Sequence, residues 1–77
     1  MMHLEIITPD TTLFDGEVNS VKFPGTGGSF ETLSNHAPVI SSLEKGTIVV
    51  KTDDGQKEFD INGGIVEVLN NKIKVLA

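Results

Sequence analysis

The sequence contains no cysteine, no long apolar run and no cluster of basic residues, and each absence excludes a class of function. Without thiols the chain can form neither a disulfide nor a thiolate metal site, which is compatible with a reducing compartment. A formal net charge of -5 argues against nucleic-acid binding, because phosphate contacts need clustered Lys and Arg. No apolar stretch approaches the ~20 residues of a membrane span. We therefore expect one acidic, soluble, intracellular domain over residues 1–77, with a thin core that a partner surface could help to stabilise.

What the sequence does contain is a period of two residues, which is typical of strands with one buried face. Apolar and polar side chains alternate in the segments HLEII, EVNSVKF, KEFDI and KIKVLA. The segments TIVV and GIVEVL are denser in apolar residues and predict strands that are covered on both faces. The predicted strands lie near residues 3–8, 17–23, 28–33, 38–42, 47–52, 56–62, 64–69 and 72–77.

Glycine and asparagine residues separate these segments and supply the left-handed conformations that tight turns require. No segment shows ten or more residues of helical periodicity. Many short strands joined by Gly-rich turns predict an all-β fold, a flattened two-sheet sandwich or barrel. The predicted turns are Asp15-Gly16, Pro24-Gly25 with Gly27-Gly28, Lys45-Gly46, Asp54-Gly55, Asn62-Gly63-Gly64 and Asn70-Asn71.

Residues that could support catalysis are few. Ser34, His36 and Asp53 could be named as a hydrolytic triad, but no G-x-S-x-G elbow holds the serine. No spacing of histidines or acidic residues predicts a metal site, and the glycines of GTGGS are not followed by the Lys of a phosphate loop. His36 precedes an Ala-Pro step that holds the backbone extended, so we interpret it as a loop-setting or partner-contact residue.

Five motifs in register resemble the N-terminal β-sandwich domain of the epsilon subunit of F-type ATP synthase, called delta in mitochondria. The first covers Leu4 to Val18 and includes a Phe-x-Gly turn, and the second is the Gly…His-Ala-Pro signature from Gly28 to Pro38. The others are L-x-x-G ending at Gly46, G-G-I-V-E-V from Gly63, and the terminal V-L-A. The resemblance covers almost the whole chain.

The resemblance implies a sandwich of about ten strands that acts as a non-catalytic rotor subunit without a cofactor or a metal. Such a subunit contacts the gamma subunit and the polar loops of the c-ring, helps couple proton flow to ATP synthesis, and lies on the cytoplasmic face of a bacterial plasma membrane. By position, the residues expected to contact gamma are Thr8, His36, Pro38 and Ser41, and those expected to contact the c-ring are Gly28, Ser29, Phe30 and Glu31.

The chain also departs from the family pattern. Many relatives have Gly at position 31 and Pro-Gly at positions 34–35, where this chain has Glu31 and Ser34-Asn35; asparagine can still adopt the left-handed conformation there. Relatives commonly continue into an inhibitory helical hairpin, and we expect a native short chain without that hairpin. Two alternatives remain at this point. One is a free-standing β-sandwich carrier of a small ligand or covalent cofactor, although Lys45-Gly46 and Lys57 lack the hairpin setting of a biotinyl-type lysine; the other is a small hydrolase using His36 and Ser34.

Overall fold

The computed structural model describes all residues from 1 to 77, and they form nine β-strands and no helix. The expected count was about ten, and the class, an all-β sandwich, is confirmed. The strands are β1 (Met2–Ile7), β2 (Thr12–Val18), β3 (Ser20–Phe23), β4 (Phe30–Leu33), β5 (Val39–Leu43), β6 (Gly46–Thr52), β7 (Gly55–Ile61), β8 (Gly64–Leu69) and β9 (Lys72–Leu76).

The strands build two sheets that pack face to face. Sheet A has five strands in the order β2-β1-β9-β8-β5, and sheet B has four in the order β4-β3-β6-β7. Neighbouring strands are antiparallel except for β1 and β9, which are parallel, with Leu4 opposite Ile73. The first and last strands therefore lie side by side near the middle of sheet A, where they are shielded from fraying.

The core lies between the sheets and contains one side chain from every second position of most strands. Two aromatic pairs extend it: Phe14 of β2 meets Phe59 of β7 edge-to-face at 5.8 Å, and Phe23 packs on Phe30 at 5.4 Å. The first pair joins an edge of sheet A to an edge of sheet B. The buried apolar residues are Met2, Leu4, Ile6, Val18, Val21, Phe23, Leu43, Ile48, Val50, Ile61, Val66, Val68, Ile73 and Val75.

All connections lie at the two ends of the sandwich. One end, which we call the Ala77 end, contains the last residue and the β1–β2, β3–β4, β5–β6 and β7–β8 connections. At the other, the Met1 end, lie the β2–β3 corner, the β4–β5 loop, the β6–β7 hairpin and the β8–β9 turn. A strand of six residues such as β1 separates the two ends by roughly 20 Å.

Two predictions about local structure are wrong near the start of the chain. Asp15-Gly16 is not a turn but lies inside β2, where Gly16 pairs with Leu4 of β1. The predicted strand 17–23 is two strands in different sheets, separated at the exposed corner residue Asn19. The corner is held by the Asn19 N–H, which donates to the Lys51 carbonyl at 2.7 Å. Each of the other predicted turns falls at a junction between consecutive strands, although Gly46, Gly55 and Gly64 already begin β6, β7 and β8.

The prediction that TIVV and GIVEVL are covered on both faces is also wrong. In β8, Val66 and Val68 are buried, whereas Ile65 and Leu69 are 51% and 49% exposed on the outer face. In β6, Val49 is only half-buried. A two-layer sandwich has no third layer to cover these faces, so apolar side chains on both sides of a strand leave one set in contact with solvent.

Candidate functional site

The residues predicted to contact gamma fall into two separate places. His36 and Pro38 lie in the β4–β5 loop at the Met1 end, and Ser41 follows on β5, the edge strand of sheet A. Thr8 lies in the β1–β2 turn at the opposite end, and β1 is three strand positions from β5, about 14 Å across the sheet. The structure therefore brings three of the four together and leaves Thr8 apart.

The His36 loop has a defined conformation held by one pair of asparagines. Asn35 has a left-handed φ of 65°, as its position in the sequence led us to expect. Its N–H donates to Asn71 Oδ1 at 2.7 Å, and Asn71 Nδ2 donates back to Asn35 Oδ1 at 3.3 Å. The exposed His36 ring places Nδ1 2.7 Å from the Ala37 carbonyl oxygen, to which a protonated Nδ1 donates. The loop is thereby tied to the β8–β9 turn, and the histidine contributes to its shape.

Thr8 and Ser41 make hydrogen bonds only to nearby backbone. The Thr8 hydroxyl donates to the Thr11 carbonyl at 3.1 Å and accepts from the Thr11 N–H at 3.1 Å, so it closes its own turn. Ser41 is half-buried, and its hydroxyl donates to the Ser42 carbonyl at 3.1 Å. Both side chains therefore bond to the backbone of their own segment.

The residues predicted to contact the c-ring lie together around the β3–β4 turn at the Ala77 end, where Gly28 and Ser29 belong to the turn and Phe30 and Glu31 begin β4. Gly28 has a φ of 127°, and its N–H donates to the Gly25 carbonyl at 3.0 Å. Ser29 and Glu31 are exposed, whereas Phe30 is partly buried against the core. The polar contacts that this turn can offer a partner therefore come from Ser29 and Glu31.

The groups named for the two alternative functions are dispersed. His36 has its ring bond to the Ala37 carbonyl, whereas the Asp53 carboxylate accepts from the Asn19 side chain at 2.8 Å in the β6–β7 hairpin. Lys45 is exposed between β5 and β6, and Lys57 of β7 lies over the Phe14 ring with its Nζ 5.6 Å from the ring centroid. No hydrogen bond joins the three proposed triad residues.

The sequence analysis did not anticipate an ionic cluster around His3 on the outer face of sheet A. His3 Nδ1 lies 2.8 Å from Glu17 Oε2 and His3 Nε2 lies 2.7 Å from Asp15 Oδ1, both on the neighbouring strand β2. These bonds, first that to Glu17 and then that to Asp15, raise the pKa of His3 above its usual value of 6.5. The signal lies in the register, since an antiparallel partner places Glu17 directly opposite His3.

A second unanticipated feature is a concentration of exposed apolar side chains on that same outer face. Sheet A carries five of them, whereas the outer face of sheet B carries mainly charged residues and one exposed leucine, Leu33. Ile65, Leu76 and Ile7 stand opposite one another on three adjacent strands. The alternation of Ile65 and Leu69 with the buried valines is the signal that could have predicted this face. The five exposed residues are Leu13, Ile40, Ile65, Leu69 and Leu76.

These features belong to a small two-sheet β-sandwich domain with several apolar side chains exposed on one outer face. Over its whole length, residues 1–77, the chain matches the family described as ATP synthase, Delta/Epsilon chain, beta-sandwich domain. The chain belongs to this family, as the resemblance led us to expect. It is 40% identical over 76 residues to the ATP synthase epsilon chain of Caulobacter vibrioides, covering 99% of this chain and 88% of that one. It is 43% identical over 76 residues to the epsilon chain of Nitratiruptor, covering 97% of this chain and 59% of that one.

The fold also matches solved structures of ATP synthases. A chain of the Euglena gracilis mitochondrial ATP synthase superposes with a TM-score of 0.91 at 19% identity, covering 99% of this chain and 49% of that one. A chain of the central stalk and c-ring of the Tetrahymena thermophila enzyme gives 0.81 at 18% identity, covering 97% and 61%. The 77 residues span little more than half the length of several epsilon relatives, for example 54% of that of Endomicrobium trichonymphae.

Proposed function

We propose that this chain is a non-catalytic central-stalk subunit of a proton-translocating F-type ATP synthase. It links the gamma subunit to the c-ring and helps couple proton flow to ATP synthesis. The observation that carries this proposal is the match of residues 1–77 to the β-sandwich domain of ATP synthase epsilon chains, with relatives at 40% and 43% identity.

The distribution of surface features supports two separate contacts. His36, Pro38 and Ser41 lie along the Met1 end and the β5 edge, where we place the gamma contact. Ser29 in the β3–β4 turn and Glu31 at the start of β4 are exposed at the Ala77 end, where we place the c-ring contact. A domain that joins two partners needs binding surfaces that do not overlap, and His36 and Pro38 lie at the end opposite that turn, roughly 20 Å away along the strands.

Thr8 needs a different role from the other gamma residues. It lies at the Ala77 end, on the β1–β2 side of the sandwich, and its hydroxyl is engaged within its own turn. We therefore propose that Thr8 contacts a part of gamma that extends along the outer face of sheet A. The exposed apolar residues of that face, such as Ile65 and Leu76, favour such a long contact because burying them would remove apolar surface from water.

The location that follows is peripheral, on the cytoplasmic face of a bacterial plasma membrane. The structure contains no helix long and apolar enough to cross a bilayer. In this proposal, attachment to the membrane sector comes from protein contacts with the polar loops of the c-ring.

Co-expression with the gamma subunit and the c-ring of the same organism tests the proposal. We expect the chain to co-purify with gamma in one-to-one ratio and to bind the assembled gamma–c-ring complex. Glu31→Ala with Ser29→Ala should weaken c-ring binding while gamma binding persists, and Glu58→Ala on the far edge strand β7 serves as the control. Failure to bind gamma at micromolar concentration would refute the assignment.

A further inference from the structure

The four edge strands of the sandwich differ in how they are protected against pairing with another chain. Edge strands of soluble proteins carry charges, bulges or short lengths, because their free N–H and C=O groups otherwise attract further strands. Strand β2 carries Asp15 and Glu17, β4 carries Glu31, and β7 carries three charged residues. Strand β5, with the sequence VISSL, carries none.

The free edge of β5 is open over half its length. The Ser42 carbonyl accepts a hydrogen bond from the Thr26 N–H at 3.1 Å, so Ser42 directs its backbone groups away from the neighbouring strand β8. Because backbone direction in an antiparallel pair alternates with a period of two, Ile40 directs its N–H and C=O the same way. The segment around Thr26 covers only the half of the edge nearest the Ala77 end, where Gly25 bridges to Leu43.

The side chain at the open half is the most exposed large apolar residue of the domain. Ile40 is 72% exposed on the outer face of sheet A. A strand added beside β5 would place a side chain directly next to Ile40, at the distance at which cross-strand apolar pairs stabilise a sheet. Backbone groups without partners and an uncovered apolar side chain therefore coincide at one position.

We propose that β5 accepts an extended, uncharged segment of a partner polypeptide as a sixth strand of sheet A, paired with Ile40. The partner's identity rests on the proposed function, which makes it the gamma subunit; the open edge is a property of this chain alone. Strand addition uses backbone hydrogen bonds for affinity and neighbouring side chains for specificity. The segment suited to Ile40 carries an apolar, β-branched or aromatic residue opposite it.

A proline substitution distinguishes backbone pairing from a simple side-chain contact. Ile40→Pro removes the outward N–H and puts a ring where the incoming strand would pair, and proline is tolerated at outward-facing edge positions. Ile40→Ala removes the side chain and keeps the N–H. Glu58→Pro is the matched control on β7. Lys51 of β6 directs its carbonyl towards Asn19 and thus away from β7, so the backbone N–H and C=O of Gln56, the residue paired with Lys51, point outward from the sheet edge. Glu58, two residues further along β7, directs its backbone groups the same way.

We expect Ile40→Pro to weaken the affinity for the gamma subunit at least tenfold. The loss of affinity caused by Ile40→Ala should be several times smaller, and Glu58→Pro should leave the affinity unchanged. Binding is measured with purified gamma, and circular dichroism checks that each variant retains its strand content. In the wild-type complex, amide hydrogen exchange should slow at Ile40 and remain fast at Glu58.

Two outcomes would overturn strand addition. Equal losses for Ile40→Pro and Ile40→Ala, with no slowing of exchange at the Ile40 amide, would show a contact through the side chain alone and leave the proposed function intact. A wild-type chain that does not bind gamma would refute the proposed function and strand addition to this partner together. The exchange measurement uses the wild-type protein, so it decides the matter even if Ile40→Pro does not fold.

Discussion

Replacing Thr32 by valine removes the one buried side-chain polar atom that has no hydrogen-bond partner in the domain. Thr32 lies on β4 opposite Val21, with its side chain fully buried between the sheets. A hydroxyl in such a place has lost its bonds to water and gained none, which costs about 1–3 kcal/mol on the scale of protein mutations. Valine has nearly the same shape and suits a strand equally well.

We therefore expect Thr32→Val to stabilise the domain by about 1–3 kcal/mol. For a domain of this size, each kcal/mol raises Tm by about 4–8 °C. The chain has no Trp or Tyr, so unfolding in urea and on heating is followed by far-ultraviolet circular dichroism rather than by intrinsic fluorescence.

Thr47→Val is the matched control for this experiment. The Thr47 hydroxyl, half-buried on β6, donates to Asp60 Oδ1 at 2.8 Å, so its removal should be neutral or cost about 1 kcal/mol. If Thr32→Val destabilises the domain, or changes it no more than Thr47→Val does, the Thr32 hydroxyl has a partner and the reasoning is wrong.

Three further predictions concern the ionic cluster, a strained glycine and the intact complex. Glu17→Gln should lower the pKa of His3, which is measured by NMR titration of its ring. Because folding raises the pKa of His3, the stability that protonated His3 contributes is present below about pH 6.5 and is lost as the pH rises through the pKa of His3 in the folded protein. An unchanged titration midpoint would contradict this. A methyl group at Gly64, which has a φ of 150°, would overlap the Leu76 carbonyl oxygen. Gly64→Ala should therefore destabilise the domain by at least the ~1–3 kcal/mol that a Gly-only conformation costs another residue. Gly27 has open space around it, so Gly27→Ala should not destabilise the domain. Equal urea midpoints for the two variants would refute the clash. Finally, these 77 residues should bind a gamma-containing catalytic complex and leave its ATP hydrolysis largely uninhibited; strong, saturable inhibition would count against that.

The apolar outer face of sheet A shows what a periodic pattern can and cannot indicate. Alternation predicted correctly that Val21 and Phe23 are buried and Lys22 is exposed. In GIVEVL, however, both alternating sets are largely apolar, so the pattern is compatible with one buried face or with two. The number of layers decides between them, and a chain of this length builds only two.

The positions of the predicted site residues were likewise only partly predictable from the sequence. The positions of His36, Pro38 and Ser41 close together could be expected, because they are neighbours in the chain. That Thr8 lies at the opposite end of the sandwich follows from β1 pairing in parallel with β9, which no local pattern contains. The His3 cluster likewise depends on the register between β1 and β2, since residues separated by 14 positions meet only when the strands pair.

The sequence by itself determined the class of fold, most of the turns and the family, because alternation, Gly and Asn positions and short motifs are properties of neighbouring residues. The order of strands, the position of the uncharged strand β5 at an edge and the unpartnered Thr32 hydroxyl were decided only by the tertiary structure. They depend on which distant segments share hydrogen bonds and which faces the second sheet covers, and those pairings are set by the packing of the whole chain.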